Sequence, residues 1–256
     1  MTGLDGKRIV IAGGATGIGA ATAERLAADG AAVVVGDINL EGAQQTAERI
    51  VKAGGTASAV AFDLSDEASV QGLFDQAVTA LGGVDGLYNV GADLSPSLVS
   101  NDVDLLGMDP AVWRRTFEVN LLGYALTCRS VIPLLLERGG GVIVNTSSGA
   151  VGAGEPTRPA YAASKAGVNA LTRHIASRWG KEGIRCNAVA PGLVMTEGVR
   201  AANDERLEKY ALSIARSPRL GLPGDLGNVV AFLFSDDAEW INGQVWAIDG
   251  GMSLHD

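Results

Sequence analysis

Short apolar, β-branched runs alternate with longer helical patterns along the chain, and this alternation restricts the fold more than any single motif. "RIVIAG" (8–13), "AVVVGD" (32–37), "TASAVAFD" (56–63), "VDGLYNVG" (84–91), "VIVNTSS" (142–148), "IRCNAVAP" (184–191) and "GQVWAIDGG" (243–251) read as strands. Helical periodicity fills the intervals at Ile18–Asp29, Glu41–Ala53, Pro110–Leu136, Ala160–Trp179 and "GDLGNVVAFLFSD" (224–236). It also follows Ser65, where Val70, Leu73, Phe74, Ala77, Val78 and Leu81 recur at helical spacing. Strands that are apolar on both faces and separated by helices predict a parallel sheet covered on both sides. The expected fold is α/β, a single doubly wound Rossmann-type domain of about seven parallel strands over residues 1–256. In such a sheet ligands bind beyond the carboxyl ends of the strands.

Composition narrows the partners. The 256 residues carry a formal charge of −9, and their basic residues are dispersed, which disfavours nucleic acid. Neither a secretory leader nor a continuous apolar run of membrane-spanning length is read from the sequence, so the expectation is a cytoplasmic protein without integral membrane association. Cys128 and Cys186 lie far apart among apolar neighbours and read as buried thiols. His174 and His255 are the only histidines, and neither belongs to a zinc motif, so no metal is expected.

"GGATGIG", Gly13–Gly19, follows the first strand and opens the first helix. It is neither G-x-G-x-x-G nor a P-loop, but glycines before a helix N-terminus suit the approach of a phosphate. Asp37 closes the second strand, where a carboxylate can hydrogen-bond an adenosine ribose and repel a 2′-phosphate; no arginine follows it directly, which favours NAD over NADP. Tyr161 and Lys165 in "YAASK" stand four apart on one helical face. An ammonium beside a phenol stabilises the phenolate. Ser148, at a strand end, reads either as a cap or as a donor to a substrate oxygen. Asn120 sits mid-helix, where an amide needs a partner or a functional water.

In the order and spacing of these residues the chain resembles the short-chain dehydrogenase/reductase family over nearly its whole length. The glycine turn resembles the family's T-G-x-x-x-G-x-G with Ala12 for the threonine, and Tyr161 with Lys165 matches Y-x-x-x-K. Pro191, Gly192 and Thr196 match P-G-x-x-x-T. The resemblance implies a catalytic set of Asn120, Ser148, Tyr161 and Lys165. It implies cofactor contacts from Gly13, Thr16, Gly17, Ile18, Gly19, Asp37, Asp63, Leu64, Asn89 and Gly91, and from Tyr161, Lys165, Pro191, Val194 and Thr196. Where the family reads N-N-A-G, this chain has Asn89, Val90, Gly91 and Ala92. The second asparagine normally braces the sheet, so Val90 implies the loss of a polar tie.

The activity implied is NAD-dependent interconversion of a secondary alcohol and a ketone, by a homotetramer or homodimer, on an apolar or cyclic small molecule. Residues 193–223, with an apolar stripe of Leu207, Tyr210, Ala211 and Ile214, read as a segment covering the substrate. Glu155 and Arg158 stand where they can meet a polar substituent. Alternatives are an NADPH-dependent 3-oxoacyl reductase and a non-catalytic dinucleotide-binding sensor.

Overall fold

The computed structural model describes residues 3–202 and 204–254. His255 and Asn203, the latter inside the expected covering segment, lie outside the described residues. Seven parallel strands form one sheet: β1 (Arg8–Ala12), β2 (Ala32–Asp37), β3 (Thr56–Ala61), β4 (Gly86–Asn89), β5 (Gly141–Thr146), β6 (Ile184–Pro191) and β7 (Val245–Ile248). Their order is β3-β2-β1-β4-β5-β6-β7, so the chain reverses its winding between β1 and β4, as the alternation predicts.

Strand side chains alternate between the two faces. Ile9, Ile11, Val33 and Val35 pack toward α1 (Gly17–Ala28), α2 (Leu40–Lys52) and a late helix, Pro223–Phe234. Val10 and Val34 pack on the other side, with α3 (Glu67–Leu81) and the helices that follow β4 and β5. Asp66 caps α3 by accepting from Ser69 N–H at 2.9 Å.

Short helices punctuate the chain after β4: α4 (Pro96–Val99), α7 (Ala150–Ala153) and α9 (Glu197–Ala202), with α10 (Glu205–Ile214) before α11 (Pro223–Phe234). The helix expected at Pro110–Leu136 consists of α5 (Pro110–Phe117), a π-helical turn at Glu118–Leu122 and α6 (Gly123–Glu137). Taken together as Pro110–Glu137, it has the length and hydropathy of a membrane span, although Glu118 and Arg129 interrupt its apolar run. Over half of its apolar window is nevertheless buried within the domain, where Tyr124, Val131 and Leu135 are fully covered. It is the core helix between α3 and α8 (Pro159–Trp179).

Val90 makes no polar tie, and the sheet is braced here by its neighbour Asn89. Asn89 and Asn145 are register partners on β4 and β5, and Asn89 Nδ2 donates to Asn145 Oδ1 at 2.9 Å. Thr127 of α6 donates to Asn89 Oδ1 at 2.8 Å, and Asn145 Nδ2 donates to Thr172 of α8 at 3.0 Å. Val90 packs against the opposite face. All four polar residues are fully buried and mutually satisfied, so the network joins two strands to two helices without leaving an orphan. Replacing Asn145 with Leu strands the Asn89 amide. The expected cost is about 2–4 kcal/mol of unfolding free energy, measurable by urea titration.

Candidate active site

At the carboxyl ends of β1 and β4 the backbone is compressed. Val90 and Gly91 N–H both donate to Ala12 O, at 2.9 and 2.8 Å. A Cβ on Gly13, at φ +107°, would stand 2.3 Å from Gly91 N, and one on Gly19 would stand 1.9 Å from Gly13 O. Gly13 is therefore required where the turn meets the end of β4 and Gly19 where the turn folds upon itself, reasons that add to the ligand approach expected from sequence.

Thr16 is the N-cap of α1 but makes no side-chain cap bond, and the first intrahelical donor is Ala20 N–H to Thr16 O. The N–H groups of Gly17, Ile18 and Gly19 thus face the crevice at the positive end of a 12-residue helix. A pyrophosphate fits this arrangement. Thr196, beyond β6, lies against the same turn, its Cγ2 3.1 Å from where a Gly17 Cβ would be.

Asp37 closes the far side. Its carboxylate accepts from Ala15 N–H and Asn39 N–H, both at 2.9 Å, which fixes it to the glycine turn. Asp63 accepts from the Ser65 N–H at 2.8 Å and hydroxyl at 2.7 Å. Burial works to raise the Asp63 carboxyl, but these bonds and the Arg115 charge outweigh it, and the group is held below its ordinary range.

Not every expected contact faces the crevice. The Asn89 side-chain amide is committed to the sheet network and offers no free edge to a ligand. Leu64 and Val194 are buried, Leu64 packing under Gly91 and Gly123 and Val194 pairing with Gly221. Pro191 O is taken by Gly149 N–H at 2.9 Å, which draws the β5 and β6 loops together beside Ser148.

Ser148, Tyr161 and Lys165 converge. Burial pushes the Tyr161 phenol up, while the nearby Ser148 hydroxyl and the charge of Arg158 pull it down in part. Lys165 is fully buried; its Nζ donates to Thr146 O at 2.9 Å and to Tyr124 Oη at 3.5 Å, and lies 5.9 Å from the Tyr161 ring centroid. Burial alone lowers its ammonium to about 7. At 5.9 Å from the ring centroid, the Lys165 ammonium, when protonated, stands close enough to favour the phenolate.

Asn120 occupies the π-helical turn. Its Oδ1 accepts from Asp93 N–H at 3.0 Å, whereas its buried Nδ2 has no protein partner. One end of this mid-helix amide is thus paired within the protein and the other is left without a protein partner.

Tyr124 and Asp102 were missed in sequence. Tyr124 follows Asn120 by four positions on the same helix, a spacing that could have flagged it; Asp102 carried no local signal. A small cavity beside Tyr161 is bounded by Leu94, Leu98, Val99, Asp102 and Arg158. Glu155 and Arg158 pair with each other, and the Arg158 guanidinium lies 5.6 Å from the Tyr161 ring centroid. A larger groove between Lys7, Arg185 and Trp240 lies near the start of β5 and β6, at the opposite end of the sheet. The described residues contain no cluster of three potential metal ligands.

Comparison with known proteins agrees with this architecture. A family model described as enoyl-(acyl carrier protein) reductase, within the short-chain dehydrogenase/reductases, matches residues 13–253. The 7alpha-hydroxysteroid dehydrogenase of Bacteroides fragilis is 36% identical over 255 residues, covering 100% of this chain and 97% of the relative. The cis-4-hydroxycyclohexanecarboxylate dehydrogenase of Sinomonas cyclohexanicum is 39% identical over 244 residues, 94% of each chain. A solved 7alpha-hydroxysteroid dehydrogenase, complexed with NADH and 7-oxo glycochenodeoxycholic acid, superposes with a TM-score of 0.91 at 34% identity, covering 98% of this chain and 97% of that one. With its sheet order, its convergent Ser148, Tyr161 and Lys165, and similarity along nearly its full length, the chain belongs to the short-chain dehydrogenase/reductase family of oxidoreductases.

Proposed function

We propose that the chain is an NAD-dependent oxidoreductase interconverting a secondary alcohol and a ketone on an apolar, alicyclic small molecule. The observation that carries this reading is the convergence on Tyr161 of the buried Lys165, its Nζ 5.9 Å from the ring centroid, and of Ser148 from the loop after β5, at the carboxyl ends of the strands where Asp37 closes β2. Gly17, Ile18 and Gly19 N–H suit the pyrophosphate and Asp37 the adenosine ribose. The ring alcohols and ketones named for the relatives support an alicyclic substrate.

A bound nicotinamide dinucleotide supplies the hydride acceptor or donor. In the oxidation direction the Tyr161 phenolate oxygen takes the hydroxyl proton of the alcohol. Ser148 donates to the same substrate oxygen and opposes the build-up of charge there. Lys165, bonded to Thr146 O, would hold the cofactor ribose, and when protonated it places positive charge near Tyr161. The unpaired Asn120 Nδ2 holds a water that passes the proton outward. Reduction reverses these transfers.

Residues 193–223 are assigned the covering role. Leu207 and Tyr210 of α10 are exposed while Ala211 is buried, so the expected stripe divides into an open edge and a packed one. A homodimer or homotetramer in the cytoplasm is the setting this reading carries.

Three outcomes test it. Cofactor fluorescence titration is expected to show tighter binding of NAD than of NADP, and Asp37→Ala to narrow the difference by about 10-fold; equal affinities in the unaltered protein overturn the cofactor assignment. Tyr161→Phe is expected to retain NAD binding and the melting temperature but lose about 10²–10⁴-fold in kcat. The assay is NADH formation from a panel beginning with cyclohexanol and cis-4-hydroxycyclohexanecarboxylate. The third outcome concerns the lowered Lys165: from its folded value of about 7 upward, the unfolded chain binds the extra proton, so stability rises with pH across that window. Without cofactor, the wild type should gain about 1 kcal/mol relative to Lys165→Met between about pH 7 and about pH 8, measured by denaturant unfolding.

A further inference from the structure

Helix α8, which carries Tyr161 and Lys165, starts in an unusual way. Its N-cap is Arg158, the only described non-glycine residue with positive φ, at 62°, and the Arg158 side chain makes no cap bond. Pro159 follows and has no N–H, so the first donors needing acceptors are those of Ala160 and Tyr161. Both are taken by one carboxylate from elsewhere in the chain. Asp102 Oδ1 accepts from Ala160 N–H at 3.1 Å, and Oδ2 accepts from Tyr161 N–H at 2.9 Å. The Asp102 carbonyl accepts from Arg158 N–H at 2.8 Å. Asp102 is only 4% exposed, and no described guanidinium or ammonium hydrogen-bonds to its carboxylate.

The segment behind Asp102 reaches the other side of the site. Asp102 N–H donates to Leu98 O at 3.1 Å, tying it to α4, and Leu98 and Val99 border the cavity beside Tyr161. At the start of the same segment, Asp93 N–H holds Asn120 Oδ1. Residues 93–102 therefore form a strap between the π-helical turn of Asn120 and the first turn of α8.

We propose that Asp102 is a positioning residue for Tyr161, capping the catalytic helix from outside and holding the left-handed Arg158, so that the phenol and the cavity rim keep a fixed relation. A carboxylate suits this position because it offers two acceptors at once, and the positive end of α8 compensates its charge. The left-handed conformation is unfavourable for an arginine and persists only where surrounding bonds impose it. The role rests on the reading of Tyr161 given above, as the group that moves the substrate proton.

Asp102→Asn and Asp102→Ala, made in the full chain, test it by kinetics and by a signal from Tyr161 itself. Protein labelled with ¹³Cζ-tyrosine has four tyrosine signals, and that of Tyr161 is the one lost in Tyr161→Phe. Both variants are expected to move the Tyr161 signal while leaving that of exposed Tyr210 in place. With cyclohexanol or cis-4-hydroxycyclohexanecarboxylate as probe, kcat should fall about 10- to 100-fold, with NAD affinity unchanged within about 2-fold. A lower melting temperature with an unmoved Tyr161 signal makes Asp102 a helix cap only and overturns the proposal. So does a moved signal with unaltered kcat, or a loss of NAD affinity that parallels the loss of rate. Asn preserves the size of the side chain and carries the test if Ala prevents folding. If Tyr161→Phe retains turnover, or neither alcohol is oxidised, the proposed chemistry fails separately and the Tyr161 signal alone decides whether Asp102 positions the phenol.

Discussion

How closely the ends of β1 and β4 can approach sets the form of the crevice. Ala12 O receives two N–H groups from the chain leaving β4, and Gly13 lies against Gly91 with no room for a side chain between them. Because the winding reverses at this point, the connections from β1 and β4 leave toward opposite faces. The gap between them places the N-terminus of α1 and the end of β2 on one side, and the ends of β5 and β6 on the other. A wider turn would separate Asp37 and Ser148 from a common ligand even with every side chain retained.

The second constraint is the amount of polarity placed inside the sheet. Asn89, Asn145, Thr127 and Thr172 satisfy one another, and their cross-links hold α6 and α8 at fixed height on the strands. Lys165 is buried on different terms. A single carbonyl at 2.9 Å and a phenol at 3.5 Å do not compensate an ammonium removed from water, which is why its proton is held weakly. A fully satisfied network makes the scaffold rigid, and an incompletely satisfied cation beside it leaves the site ready to accept further partners.

The sheet was legible because both faces of every inner strand are apolar, a property each local run displays. The glycine turn, Asp37, Ser148, Tyr161 and Lys165 were legible through their spacing, and the fold brings them to one crevice. The bracing role of Asn89 was not legible because adjacent strand residues point to opposite faces, and a motif does not say which of two neighbours turns toward the neighbouring strand. The π-helical turn at Asn120 escaped periodicity because one added residue hardly disturbs an apolar pattern. Asp102 was invisible for a different reason. Its partners are backbone N–H groups almost sixty positions away, and a backbone donor leaves no mark in the residue types.

Cys128 and Cys186 complete the centre of the domain. Both are free and buried, and each lies beside an amide of the asparagine network, at 3.5 Å from Asn89 Nδ2 for Cys128 and 3.6 Å from Asn145 Nδ2 for Cys186. Burial pushes the Cys128 thiol up to about 12 and raises Cys186 as well. Because only a thiolate reacts readily, alkylating reagents meet no competent sulfur while β4, β5 and β6 stay together. The two sulfurs therefore act as clocks for opening of the innermost strands, recording how often the middle of the sheet comes apart rather than how the crevice moves.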